Sequence, residues 1–343
     1  MLKKLSVKNL GCFDNQAYSI DFSQETLIAG PNNSGKSMFL TGINFIKHYI
    51  ITNSPSWSTE LYNLVNFTEA VHAHGNNRTI EFSMIVVEDS TEYTYDLTFS
   101  QHEYGLKLNG QRFNREPKHI HLMRRIWFFR PNRSLVPYST SVQPTASVLQ
   151  PLRPDGSNVI NYLLERWTDR DKRWNVAESW LKKIDPDMTE LKTPIRGSQT
   201  FLESMFGNMP VNVSLQGSGF QSAAAIVAAI VFSPEGSTII IEEPEVFLHP
   251  NSQEVIVDMI NEAVNNHKKQ VIFSTHSCNI LLPFYNDVGL NGATRGAEHI
   301  SADPNKFSMW TFQKAAGKVS IDRYPLQNKT FQHFRQDFKH IWG

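Results

Sequence analysis

Apolar and polar positions alternate with period two along KKLSVKNL at 3–10, which predicts a half-buried strand. YSIDF at 18–22 and ETLIAG at 25–30 follow, so residues 1–29 predict two or three strands. After Lys36 the spacing changes: SMFLTGINFIKHYI at 37–50 repeats its apolar residues with helical period. Residues 78–100 are rich in β-branched and aromatic side chains and predict strands of an antiparallel sheet, with another in YGLKLNG at 104–110. MRRIWFFR at 123–130 predicts a buried strand. Five prolines among many Ser and Thr predict a loop or linker over 131–156. Residues 157–206 are expected to be helical. Two apolar strands follow, at 238–241 and 270–274, each with a helix after it. The tail, 305–343, predicts one or two strands and a terminal amphipathic helix. There is no internal repeat, no low-complexity segment and no sustained heptad pattern.

This order of elements predicts an α/β fold. A central, mainly parallel sheet flanked by helices would carry an antiparallel β-subdomain and a helical insertion. The expected divisions are 1–150, a helical insertion over 151–212, and 213–343. Length agrees, because 343 residues suit about two domains or one large unit with an insertion. Charge removes one class of function: 33 basic and 33 acidic residues leave no net field, so nucleic-acid binding would need a local patch. Cys12 and Cys278 lie far apart and make no disulfide or metal framework, which fits a reducing cytoplasm. The N-terminus lacks the continuous apolar stretch of a signal peptide. The longest apolar run, AAAIVAAIVF at 223–232, is short of the roughly 20 residues that span a bilayer. A soluble intracellular protein with no membrane partner is expected.

Candidate chemistry begins at GPNNSGKS, 30–37, between a predicted strand and a predicted helix. That context marks a phosphate-binding loop. The backbone N–H groups of Gly30, Asn32, Asn33, Ser34 and Gly35 would converge on the phosphates of ATP, helped by the positive end of the helix dipole. Lys36 would reach the β- and γ-phosphates, and the Ser37 hydroxyl would sit on Mg²⁺. A glycine-rich turn is the plain alternative.

STIIIEEPEVFLHP, 237–250, is a buried-strand pattern ending in two acids. Glu242 would hold Mg²⁺ through water, and Glu243 would act as general base on the attacking water. Strands of this kind more often carry Asp first, and the longer Glu alters the metal geometry. QVIFSTHS, 270–277, brings His276 to the C-terminal end of a third apolar strand, where a γ-phosphate sensor would stand. SLQGSGFQSAAAIVAAI, 214–230, leads a Gly-Ser-Gly turn into a small-residue helix. Its N-terminus suits a phosphate, or is simply capped by Ser218.

Together the four elements resemble the ATPase head of the ABC class, in the branch with SMC-like, RecF-like and OLD-family proteins. GSGFQ at 217–221 resembles the OLD-like signature more than the Ser-Gly-Gly-Gln core of transporters. IEEPEVFLHP at 241–250 and PDGSNVINYLLERW at 154–167 are similar to segments of stand-alone AAA-type ATPases of bacterial chromosomes and phage-defence loci. The resemblance runs from residue 1 to about 285. It implies a head-to-head homodimer, with ATP between the phosphate loop of one copy and the signature of the other. Ser218 would touch the γ-phosphate in trans, with Gly217 and Gly219 as further candidates. Leu248 and His249 would begin the inter-subunit loop, though His249 also reads as a surface histidine. The Mg²⁺-sensing glutamine of such proteins has no assigned position; Gln143 and Gln150 are candidates. OLD nucleases append a metal-binding TOPRIM domain. Fewer than 70 residues follow His276, without a D-x-D, so a built-in nuclease is not expected. The insertion is far too short for SMC-type arms.

Lys107, Arg112, Arg115, Lys118, Arg124, Arg125, Arg130 and Arg133 stand against Glu116 alone over 107–133. They would form a phosphate-backbone track, a docking face for an acidic partner, or an ordinary solvated face. Arg130 or Arg133 would alternatively approach the nucleotide. The functional expectation is an ATP-driven switch that gates a separate effector, in antiviral defence. The alternatives are a RecF-like DNA repair or recombination protein and a scaffold that binds ATP without turnover.

Overall fold

In a computed structural model of the chain, residues 1–54, 58–59, 62–63, 67–74, 78–131, 133, 135, 138–139, 152–277, 280 and 306–325 are described. They divide into two compact units. One holds residues 1–124 and 272–276 with the segment around 306–325; the other holds 125–271 and 277–280.

The first unit realises the period-two patterns. Strands Tyr18–Asp21, Leu2–Lys8, Ile80–Glu88, Thr91–Phe99, Tyr104–Leu108 and Gln111–Arg112 form one antiparallel sheet in that spatial order. Leu5 faces Ile20 on one side and Met84 on the other. Strand Ile80–Glu88 buries every second side chain, as a sheet with one covered face must. The cover is helix Lys36–Thr52, whose Phe45 stacks on Phe82 with ring centroids 5.1 Å apart. Strand Glu25–Ala29, wholly buried, pairs in parallel with Phe307–Ala315. The latter turns at Ala316 and Gly317, both at positive φ, into the antiparallel strand Lys318–Arg323. Positive φ at both turn residues matches the twist of a tight hairpin.

The second unit carries a further parallel pair. Ile126–Phe129 lies beside Thr238–Glu242, in register from Ile126↔Thr238 to Phe129↔Ile241. Both strands are buried along their length, which explains their unbroken apolar runs. Helix Ser218–Phe232 is buried from Ser222 onward, so its Ala, Ile and Val residues serve as core on all sides. Helix Pro250–His267 starts on an N1 proline and ends where Lys268 turns left-handed. The Lys269 ammonium donates to the carbonyls of Ile230 and Val231 at the end of helix Ser218–Phe232, and burial pulls its pKa down to about 8.

Two expectations change. Helix covers less than 157–206: Val159–Thr168 and Trp174–Ile184 are helical, but the remainder folds into short strands. Glu190–Lys192, Glu203–Phe206 and Met209–Asn212 form a three-stranded antiparallel sheet, and Ile195–Arg196 pairs with Gln199–Thr200. Pro194, Gly197, Gly207 and Pro210 break the helical pattern there and set the turns. Met123 and Arg124 finish helix Pro117–Arg124 rather than open the strand that follows. The expected 131–156 linker lies mostly outside the described residues, as do the terminal helix, Gln143, Gln150 and Cys278. Among the described residues, no helix is long and apolar enough to cross a membrane.

Candidate nucleotide-binding site

The phosphate loop lies in the first unit. Buried strand Glu25–Ala29 fixes its entry and helix Lys36–Thr52 its exit. Asn33 and Gly35 take left-handed φ values of 62° and 102°. At Gly35 this combines with crowding: a Cβ would lie 2.8 Å from Cys12 Sγ and 3.0 Å from the Phe13 ring. Only glycine fits such a position. The helix begins at Lys36 with no side-chain cap and no acid in its first turn, so its first N–H groups and positive dipole end suit an anion.

Lys36 is 5 % exposed, and its ammonium donates to the carbonyls of Gly30 at 2.7 Å and Pro31 at 2.9 Å. The residue that would bind phosphate thereby ties the loop to itself. Ser34 is buried, and its hydroxyl makes no hydrogen bond among the described residues. Asn32, Asn33 and Ser37 are exposed. An orphaned hydroxyl, an uncapped helix start and a lysine resting on exchangeable carbonyls together fit a nucleotide phosphate. His276 follows strand Gln270–Thr275 and is half-buried.

The acids and the GSGFQ segment lie in the second unit. Glu242 is the last residue of its strand and 5 % exposed. Glu243 follows, half-buried, with φ at 46°. A left-handed backbone at a non-glycine residue costs about 1–2 kcal/mol. It breaks the strand and sends the chain into a tight loop, where Val246 N–H bonds Glu243 O at 3.2 Å and Leu248 N–H bonds Glu245 O at 2.9 Å. Phe247 is also left-handed, at 68°, and 59 % exposed. Leu248 is buried; His249 is exposed and caps the next helix, its Nδ1 accepting from Asn251 N–H at 3.3 Å.

Helix Ser218–Phe232 meets this loop directly. A Cβ on Gly219 would lie 2.5 Å from the Phe247 carbonyl oxygen, so backbone packs on backbone there. Gly217 takes the cap position without a side-chain bond, which corrects the reading of Ser218 as the cap. Gly217 and Ser218 are exposed. Gln221 donates to the carbonyls of Gln216 at 3.0 Å and Ser214 at 3.3 Å and accepts from Leu135 N–H at 3.1 Å.

Arg133 is the residue whose place sequence alone left open. It is 2 % exposed. Its guanidinium donates to Ser222 Oγ at 2.9 Å and to the Glu242 carbonyl. Burial pulls its pKa down to about 10, against the opposing charges of Glu245, Glu242 and Glu243. A charge-assisted hydrogen bond contributes about 1.5–3 kcal/mol, enough to offset the left-handed turn next to it. Arg130 is likewise pulled down by burial and held up by Glu242 and Asp155.

The basic run is not one surface. Arg133 is buried, Arg125 donates to the Glu235 carbonyl at 2.6 Å, Arg115 donates to the Ile51 carbonyl, and Lys118 pairs with Glu116 at 2.9 Å. Among the described residues, no group of three or more His, Cys, Asp or Glu is placed to hold a metal ion. In the first unit the Ser37 hydroxyl, and in the second the Glu242 carboxylate, are oxygen donors of the kind Mg²⁺ takes. The oxygen-only donor set suits that ion, which keeps several waters and takes few protein ligands.

Residues 26–282 match a family model described as "AAA domain, putative AbiEii toxin, Type IV TA system". The chain is 26% identical over 342 residues to the OLD nuclease of Thermus scotoductus (strain ATCC 700910 / SA-01), a match covering 86% of this chain and 61% of that protein. A second match, 33% identical over 92 residues, covers 22% of this chain and 13% of Endonuclease GajA of Bacillus cereus (strain HuB5-5). The chain thus spans less than two thirds of the length of these relatives. Among solved structures, an SMC head bound to the C-winged helix domain of ScpA superposes with a TM-score of 0.63 at 15% identity, covering 95% of this chain and 98% of that one. The SMC head domain from Thermotoga maritima gives 0.54 at 14% identity, covering 94% and 99%. The fold is an α/β fold like that of SMC head domains.

Proposed function

The chain belongs to this AAA-domain family, in the OLD and SMC-like branch of ATPases, and from that premise we propose that it is a Mg²⁺-dependent ATP hydrolase working as a molecular switch. The observation that carries the reading is the paired acid turn. A buried strand ends in Glu242, Glu243 takes a left-handed backbone, and the loop that follows lays its Phe247 carbonyl against Gly219 in the first turn of the GSGFQ helix.

In this reading Lys36 gives up the Gly30 and Pro31 carbonyls for β- and γ-phosphate oxygens. The N–H groups of residues 30–35 cradle the phosphates. The Ser37 hydroxyl, and Glu242 through water, would hold Mg²⁺, which would supply charge neutralisation at the phosphates. Glu243 takes a proton from water as that water's oxygen bonds the γ-phosphorus and the bond to the ADP oxygen breaks. His276 donates to the γ-phosphate. Gly217, Ser218 and Gly219 present free N–H groups and a hydroxyl to the γ-phosphate held by a second copy, so that ATP closes a head-to-head homodimer. Opening after hydrolysis gates a separate effector in the cytoplasm, in antiviral defence, in keeping with the resemblance of IEEPEVFLHP to phage-defence ATPases.

Both relatives are named as nucleases, and those names favour a second reading, ATP-dependent action on DNA. Phosphate release from Mg²⁺-ATP by the purified chain, with and without DNA, tests the pair. Release without DNA supports the switch, and release that requires DNA supports the second reading. No release under either condition contradicts both.

A further inference from the structure

Residues 133 and 135 both grip the GSGFQ helix. Leu135 N–H donates to Gln221 Oε1 at 3.1 Å, and Arg133 donates to Ser222 Oγ at 2.9 Å. Arg133 also donates to the Glu242 carbonyl. That carbonyl belongs to the peptide plane joining Glu242 to Glu243. Rotation about the next bond is the Glu243 φ, held at 46°. One buried side chain therefore touches the phosphate-facing helix at one end and, at the other, the peptide that aims the candidate base.

We propose that Arg133 is a positioning residue that transmits the position of helix Ser218–Phe232 to the Glu242–Glu243 peptide, so that Glu243 is aimed at water only when that helix is seated. Ser222 lies one helical turn after Ser218, on the same face. A phosphate that draws in the helix start draws Ser222 with it, and the guanidinium fork follows as a rigid plane with two bonded ends. Gly219 against the Phe247 carbonyl gives the same helix a second, backbone contact with the loop after the base. The inference rests on the ATP-hydrolase reading and adds the route by which the signature helix licenses chemistry.

Arg133→Ala removes a buried cation that faces Glu245, Glu242 and Glu243 and so tests folding as much as positioning, and the decisive substitution is Ser222→Ala. It removes one hydroxyl and keeps the helix. The expected result is a kcat lowered about tenfold with binding of a fluorescent ATP analogue unchanged, and a thermal midpoint lowered by the loss of one buried hydrogen bond. Ser222→Thr, which retains the hydroxyl, restores kcat. A purely packing role would move the thermal midpoint and leave kcat alone. Wild-type kcat in Ser222→Ala overturns the proposal, as does a loss that Ser222→Thr does not repair. A wild-type chain that binds ATP and releases no phosphate overturns the hydrolase reading, and the positioning role with it. Unaffected variants of a hydrolysing wild type overturn the positioning role alone.

Discussion

The phosphate loop and the acid turn solve the same problem, holding polar groups at a strand end, by opposite means. The loop is closed on itself. Lys36 bonds carbonyls only six and five residues back, and left-handed Asn33 and Gly35 lie within the same eight residues. The acid turn is assembled from afar. Arg133 reaches Ser222 across 89 positions and Glu242 across 109. A local device is specified wherever its motif occurs and is ready to bind. A device built from three distant segments is correct only when all three are in place, which makes it the natural point of control.

That contrast is broken or sharpened by substitution. Lys36→Ala removes the one cation of the loop, and ATP binding should fall beyond detection in a fluorescent-nucleotide titration, a loss of about a hundredfold or more. Retained binding would deny the loop its role. Glu243→Gln should leave that titration unchanged while slowing phosphate release by about a thousandfold, within the usual range for a general base. Release at the parent rate would move the base elsewhere. Gly219→Val should lower turnover by about tenfold without weakening ATP binding, because its side chain forces the helix off the Phe247 carbonyl.

A separate effect is on stability. Burial holds the Glu25 carboxyl up at about 8, from an ordinary value of 4.5. The neutral acid is favoured in the fold, so its contribution is full below 4.5 and is lost as pH rises from there through about 8. Glu25→Gln should therefore stabilise the chain at pH 9 by an amount on the order of a few kcal/mol and leave it unchanged at pH 4. Equal denaturation midpoints for the two proteins at pH 9 would contradict this.

Much of the fold was legible in the chain because its signals are local. Period-two alternation placed the strand around 2–8, richness in β-branched and aromatic residues placed those within 78–110, and apolar runs placed those at 25–29, 238–241 and 270–274. The helix expected through 206 failed past Ile184 because apolar residues in short paired strands mimic helical spacing over a few residues. Pro194, Gly197, Gly207 and Pro210 were the signal that separates the two. Of the candidate site, the loop, the acids and the GSGFQ turn were readable as motifs. Arg133 was not, because inside a basic run nothing distinguishes a buried guanidinium from a solvated one. Its tell was weak: two arginines, Arg130 and Arg133, follow an all-apolar strand. The left-handed backbone at Glu243 left no trace in sequence, since its support comes from residue 133 and not from a glycine.

The central claim is that the loop is half a site, completed by the GSGFQ turn of a second copy. The most direct measurement is the mass of Glu243→Gln in solution by light scattering, with and without Mg²⁺-ATP. The account predicts that the nucleotide doubles the mass and that Ser218→Arg in the same chain abolishes the doubling while ATP still binds. A mass unchanged by bound nucleotide would contradict it.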